Sequence, residues 1–238
     1  MILNLKGEVI SDDWAELYRW FGYESGYFCP SDILAAMEAL EPGEELLLQI
    51  NSIGGDVEAA AEIYSCIASC KNPVRAEIQS IAASAASYFP LACDAVAISL
   101  PAQMMIHCAS WSVGGNKFDH TWAAQQLEAT DESILDTYCR KCGEHRREEL
   151  RQLMEAETYL TAKQCLELGL VDSIIGEKAE DGTEEPLRMV ASVQANTVRA
   201  NTVRAMRTLP DIQELKAKKD TMLQSMEQEL AAEMSRYA

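Results

Sequence analysis

The stretch EIQSIAASAASYFPLACDAVAIS, residues 77–99, places an apolar run before a cluster of alanines and serines and then returns to an apolar run. Small side chains let two backbones approach closely, which suits a helix packed hard against a sheet. They also suit a tight strand-to-helix corner that presents a serine hydroxyl to a substrate as a nucleophile. Ser80, Ser84 and Ser87 all lie in the stretch, and the residues alone leave both readings open.

Working outward, the same alternation continues on both sides. LLLQINS (46–52) is a short continuous apolar run of the kind found in strands covered on both faces. DVEAAAEIYSCIASC (56–70) follows as a helix, with Asp56 as an acidic N-cap and Val57, Ala60, Ala61, Tyr64, Ile67 and Ala68 on one stripe. SDILAAMEAL (31–40) predicts an earlier helix, opened by Ser31 and carrying Ile33, Leu34, Met37 and Leu40 at helical spacing. Strands are predicted at VRAEIQSI (74–81), AVAIS (95–99) and QMMIH (103–107), and a long polar-rich helix over 117–143. Thr161 and Gln164 form a capping-box start for a helix that Gly169 ends, and GLVDSII closes the series as a last strand. Strands separated by helices predict βαβ units with right-handed crossovers, hence an α/β fold.

With 238 residues, 48% of them hydrophobic, the chain can bury a substantial core as one domain or one domain with an appendage. No window has the length of apolar sequence that a membrane span needs, and the opening MILNLKGEVISDD lacks the basic flank and apolar core of a signal peptide. A cytoplasmic protein with no membrane partner is the expectation. The formal charge of −18 argues against nucleic acid, whose phosphates need a basic surface. That charge is uneven: residues 1–188 hold 13 basic and 32 acidic groups, residues 189–238 hold 7 and 6. The asymmetry marks a boundary.

Eight scattered cysteines, mostly inside apolar runs, suit reduced core residues better than a disulfide framework. In CRKCGEH, Cys139, Cys142 and His145 have a metal-like spacing, but they supply three ligands at most, with no second pair to complete a tetrahedron. Neither a metal nor an organic cofactor is therefore expected. Of three histidines, His107 ends the apolar strand MMIH, where a rigid element can hold a general base at a cleft, while His120 and His145 lie in polar helical context. INSIGGDV (50–57) sets two glycines between a strand and a capped helix. It suits either a tight turn or a backbone that a substrate carbonyl can approach, an oxyanion hole.

The order INSIGGDV, IAASAAS, MMIH, EAETYLTAKQCLELGLVDSI resembles the Clp protease proteolytic-subunit family of serine peptidases, over residues 5–175. The resemblance implies a crotonase-like ββα spiral domain in which Ser84 is the nucleophile, His107 the base and Glu157 the third member, with the N–H groups of Gly55 and Ala85 as the oxyanion hole. The family usually has aspartate at the position of Glu157, and Glu155 is the runner-up; a carboxylate of either length can hold the imidazole tautomer. Ile53 stands where the family has proline before the glycine pair. The order Ser, His, Glu and the lack of a G-x-S-x-G motif disfavour an α/β-hydrolase. The resemblance also implies polypeptide substrates and a homo-oligomeric ring, a heptamer or stacked heptamers, joined through the long helix.

Within the family the chain is most similar to phage and prophage head maturation proteases, which process capsid and scaffold proteins. It begins almost at its first strand and ends in a helical extension, which sets a capsid or scaffold partner against a housekeeping degradative subunit that docks a Clp ATPase. A crotonase-type acyl-CoA enzyme and a catalytically silent assembly module are rivals from other classes. The expected organisation is a peptidase domain over 1–176, an acidic linker over 177–207 with the duplicated ANTVR, and an amphipathic helical tail over 208–238 with Ile212, Leu215, Met222, Met226 and Leu230 on one side.

Overall fold

In the computed structural model, the strands with the most continuous apolar sequence lie at the centre of one sheet. The chain divides into two units, Met1–Val193 and Gln194–Ala238. The structure describes residues 1–177 of the first and, in the second, only Ala217, Lys218, Thr221 and Gln224, all helical. The linker, the ANTVR duplication and the apolar stripe of the tail lie outside the described residues.

The first unit runs β1 (Ile2–Val9), α1 (Asp12–Trp20), β2 (Tyr27–Phe28), α2 (Pro30–Glu38), β3 (Leu46–Gly55), α3 (Val57–Ser69), β4 (Val74–Ala83) and α4 (Ala85–Tyr88). It continues with β5 (Ala95–Ser99), β6 (Gln103–Ile106), α5 (Lys117–Cys142), α6 (Arg147–Glu155), β7 (Thr158–Thr161), α7 (Ala162–Leu168) and β8 (Ser173–Ile175). The main sheet has the order β2-β1-β3-β4-β5-β8, with every pair parallel. One row across five strands, Leu5, Ile50, Ile78, Ile98 and Ile174, sits in register and is buried throughout. Full burial of each such side chain contributes about 1.5–3 kcal/mol relative to exposure, so this row is a strong determinant of the register.

β4 switches neighbours along its length. Arg75 to Ile78 pair with β5, whereas Ile81 to Ala83 pair with β6. The second half of β4 thereby leaves the main ladder and joins a small subsheet in which β6 runs antiparallel to β7. This divergence sets the end of β4 beside the end of β6.

The capping chemistry explains most element starts and one departure. Asp56 accepts from Ala59 N–H at 2.9 Å, and the Thr161–Gln164 box opens α7, which Gly169 ends in the left-handed conformation. α2 starts earlier than Ser31, because Pro30 occupies its first turn and Asp32 accepts from the backbone N–H of Cys29 at 2.9 Å. The small-residue helix after β4 is only one turn long, followed by a 3₁₀ turn over Phe89–Ala92. All eight cysteines are free thiols, and five are buried. Cys139 and Cys142 are among the buried ones, and among the described residues no cluster of His, Cys, Asp and Glu is arranged to hold a metal ion.

Candidate active site

β4 ends at Ala83, and the next residue turns the chain. Ser84 has φ 54° and ψ −128°, a sparsely populated conformation for a residue with a side chain. Such backbone costs about 1–3 kcal/mol and persists only where surrounding bonds over-determine it. Here Ser84 N–H donates to Met105 O at 2.9 Å, tying the corner to β6 two residues before His107. The consequence is a 2.7 Å hydrogen bond between Ser84 Oγ and His107 Nε2, both residues half-buried.

Gly54 makes the corner possible. At φ 91° it is buried so closely against the turn that an added Cβ would lie 2.5 Å from Ala83 O, 2.7 Å from Ser84 Cβ and 2.8 Å from Ala85 N. Only glycine tolerates both the angle and the approach. Gly55, exposed at φ 149°, has its own close contact on the other side, where a Cβ would stand 2.2 Å from Val9 O. The glycine pair therefore fits between β1 and the serine corner, and Gly54 is the member that touches Ser84 and Ala85. Ala85 is buried and opens α4, so its N–H has no acceptor within that helix. Ser52 Oγ accepts from Gly54 N–H at 3.1 Å and steadies the turn from within.

The carboxylate side is looser. The β6–β7 register pairs Met105 with Tyr159 and Ile106 with Thr158, where the ladder ends, and His107 and Glu157 are the next residues along the two segments. Glu157 has φ 52°, lies exposed, and its N–H donates to Met154 O at 3.1 Å. Among the described residues no carboxylate is hydrogen-bonded to His107 Nδ1. Glu155 ends α6, exposed and two residues further from the ladder. α6 is held to α5 by charge: Arg151 donates to Glu132 at 2.6 Å, and Arg147 contacts Glu144, Asp136 and Glu132. Asp131 of α5 accepts from Ala109 N–H at 2.6 Å, pinning the segment just after His107.

Of the other two serines, Ser80 lies within β4, and Ser87 is fully buried with its hydroxyl engaged below the corner. The contributions of Gly54, Ser87 and Asp131 were not evident from residue type alone, since each depends on a contact between segments distant in the sequence. A cleft of about 520 Å³ opens between α3 and α5, lined among others by Val57, Tyr64, Tyr88, Thr130, Ser133 and Ile134. Val57 follows the glycine turn and Tyr88 lies one turn beyond Ser84, and Tyr88 Oη donates to Val57 O at 2.5 Å to join them. Buried near Asp56, Glu8 has its carboxyl pushed above the usual range, chiefly by loss of solvent. Cys108, beside His107, has its thiol pushed up to about 11 by burial and by the charge and hydrogen bond of Asp131.

An activated hydroxyl, an imidazole and a backbone N–H at a glycine-packed corner suit acyl transfer. Residues 30–178 match the Clp protease family. The chain is 29% identical over 143 residues to the ATP-dependent Clp protease proteolytic subunit 1 of Chlamydia muridarum, covering 58% of this chain and 74% of that protein. The subunit 1 proteins of Chlamydia abortus (29%) and Chlamydia trachomatis serovar D (28%) match over the same shares. With its mostly parallel α/β sheet and the matched span covering most of the described residues, the chain belongs to the Clp protease family of serine peptidases.

Proposed function

We propose that the chain is an endopeptidase that cleaves polypeptides by acylation and deacylation of Ser84. The observation that carries this reading is the 2.7 Å bond between Ser84 Oγ and His107 Nε2 at a strained corner. Ser84 donates to the neutral imidazole and attacks the scissile carbonyl carbon while His107 takes its proton. The carbonyl oxygen becomes an oxyanion received by the N–H groups of Ala85 and Gly55. Collapse of the tetrahedral adduct breaks the C–N bond, and His107 passes the proton to the leaving amine. Water then attacks the Ser84 ester, giving its proton to His107, and the acid product leaves as the hydroxyl is restored.

Glu157 is the residue we assign to orient the imidazole, because it directly precedes the strand paired with the end of β6, whereas Glu155 lies two residues further off. The cleft between α3 and α5 receives a substrate side chain, since Val57, next after the glycine turn and Asp56, and Tyr88, one turn beyond Ser84, both line it. An acyl-CoA enzyme would have no use for the Ser84–His107 bond.

For the biological substrate, capsid and scaffold processing is the narrower proposal, supported by the apolar stripe of the tail in the sequence. The relatives named above are proteolytic subunits of ATP-dependent Clp proteases, which supports a degradative subunit as the second reading. Incubating purified protein with a phage capsid protein and its scaffold, and separately with a Clp ATPase and an unfolded substrate, tests the two. Discrete, Ser84-dependent cuts in the capsid protein support processing; ATP-dependent degradation supports the other reading. Failure of Ser84→Ala to abolish hydrolysis of a short fluorogenic peptide would overturn both.

A further inference from the structure

Beneath the serine corner lies a buried polar chain that the mechanism above does not use. Ser87 Oγ donates to Ser84 O at 2.5 Å, and Ser87 Oγ and Tyr138 Oη are 2.6 Å apart. Ser87 N–H also donates to Ser84 O, at 2.9 Å. Ser87 is fully buried, and Tyr138, near the C-terminal end of α5, is 1% exposed. The direction of the chain follows from chemistry: a carbonyl only accepts, so the one Ser87 hydroxyl proton goes to Ser84 O, and Tyr138 must donate to Ser87.

The bonded carbonyl is the other end of the peptide group that carries Ala85 N–H. A peptide group is planar and trans, so its C=O and N–H point in opposite directions and turn together. Holding Ser84 O toward the interior therefore holds Ala85 N–H toward the cleft. α4 has a single turn, whose one backbone bond onto this oxygen comes from Ser87 N–H, and the Ser87 hydroxyl adds a second, shorter one. Ser84 sits at positive φ, where the plane has no intrinsic preference to stay.

We propose that Tyr138 and Ser87 are positioning residues that aim the Ala85 N–H at the developing oxyanion. The proposal rests on the reading of Ser84 as nucleophile and Ala85 as oxyanion donor, and it adds two residues that touch neither substrate nor reacting atoms. It also explains why two hydroxyls are kept in an otherwise apolar layer beside Phe89 and Leu135.

The test uses the full chain as wild type, Ser87→Ala, Tyr138→Phe and the double variant. Turnover of a fluorogenic peptide, inhibition by a peptide boronate, melting temperature and fluorophosphonate labelling of Ser84 are measured for each. A misaimed donor should lower kcat by about 10-fold, part of the roughly 10²–10³-fold that deleting a donor costs, with KM within about 2-fold. The boronate, whose tetrahedral adduct fills the same site, should weaken by the same factor as kcat falls. Removing both hydroxyls leaves no orphaned buried group, so the double variant should recover the wild-type melting temperature while kcat stays low. Wild-type kcat and boronate affinity in the double variant, with Ser84 still labelled, would overturn the clamp and leave the nucleophile in place. Losses that follow melting temperature across the set would overturn it equally. A wild type that takes no label at all would overturn both the site and the clamp that serves it.

Discussion

His107 and Glu157 are the first residues beyond the Ile106–Thr158 pair, the last of an antiparallel ladder only four residues long. The placement is a property of the backbone, and it brings one exposed carboxylate to the end of the ladder that carries the imidazole bonded to Ser84. Glu157→Gln should lower kcat by about 10²-fold or more through loss of the oriented tautomer, while Glu155→Gln should stay within about 2-fold of wild type. Steady-state kinetics on a short peptide check this, and the reverse pattern would transfer the role to Glu155.

Gly54→Ala should abolish activity through geometry. The new methyl would stand 2.5 Å from Ala83 O and 2.7 Å from Ser84 Cβ, so the corner must move. We expect kcat to fall by at least about 100-fold, as misplacement of a reacting group by about 1 Å does, with the melting temperature also lowered. A Gly54→Ala variant with wild-type kinetics would show that the corner is not held by this contact.

Cys108 lies next to the base, yet its thiol is pushed up to about 11 and stays protonated at neutral pH. Iodoacetamide at pH 7.5 should leave Cys108 unmodified and activity intact, and alkylation should set in only as pH approaches that value. Mass mapping of the alkylated protein reads the outcome. Rapid modification with loss of activity at pH 7.5 would show that the thiol is ionised beside His107.

Glu8 carries a pH signature in stability. Burial raises its carboxyl above the ordinary value of 4.5, with Asp56 adding repulsion. The native state thus holds this proton more tightly than the unfolded chain, so the stability it contributes is present in acid and lost as pH rises through the native value. Glu8→Gln should melt higher than wild type at pH 8, and the gap should close toward pH 4. A constant gap across that range would mean that the substitution acts by packing alone.

The sequence carried the parallel core and the two ends of the serine corner because both rest on local signals. The apolar runs 46–52, 74–81 and 95–99 became adjacent strands, and the Asp56 and Thr161 caps opened the helices they were expected to open. The antiparallel β7 was missed, since four residues at a helix end have no periodicity to read; with it went the ladder that brings the segment of Glu157 to the end of β6. The split pairing of β4 likewise depends on a long-range switch between β5 and β6. Residues 11–29 were not assigned elements, although α1 and β2 lie there, because Gly22, Gly26 and five tyrosines and phenylalanines interrupt any apolar period. Nothing in the polar-rich sequence of the long helix singles out Tyr138, whose hydroxyl acquires meaning only beside Ser87.

The exposed aromatic cluster at the start of α5 bears on assembly. Trp111 and Trp122 meet edge to face at 5.4 Å, each about half exposed, and Phe118 nearby is 71% exposed. If the ring expected for this family packs through α5, Trp122→Glu should shift native mass spectra and light-scattering mass toward smaller species. Unchanged assembly mass would place the subunit contacts elsewhere.

The central claim is that Ser84, activated by His107, is the nucleophile. Its most direct measurement is reaction of the full-length protein with a fluorophosphonate, followed by tryptic mass spectrometry to locate the adduct. The account predicts one stoichiometric adduct on Ser84, abolished in Ser84→Ala and strongly slowed in His107→Ala, with both variants folded by circular dichroism. An adduct on Ser80 or Ser87, or none on a folded protein that still cleaves peptide, would contradict it.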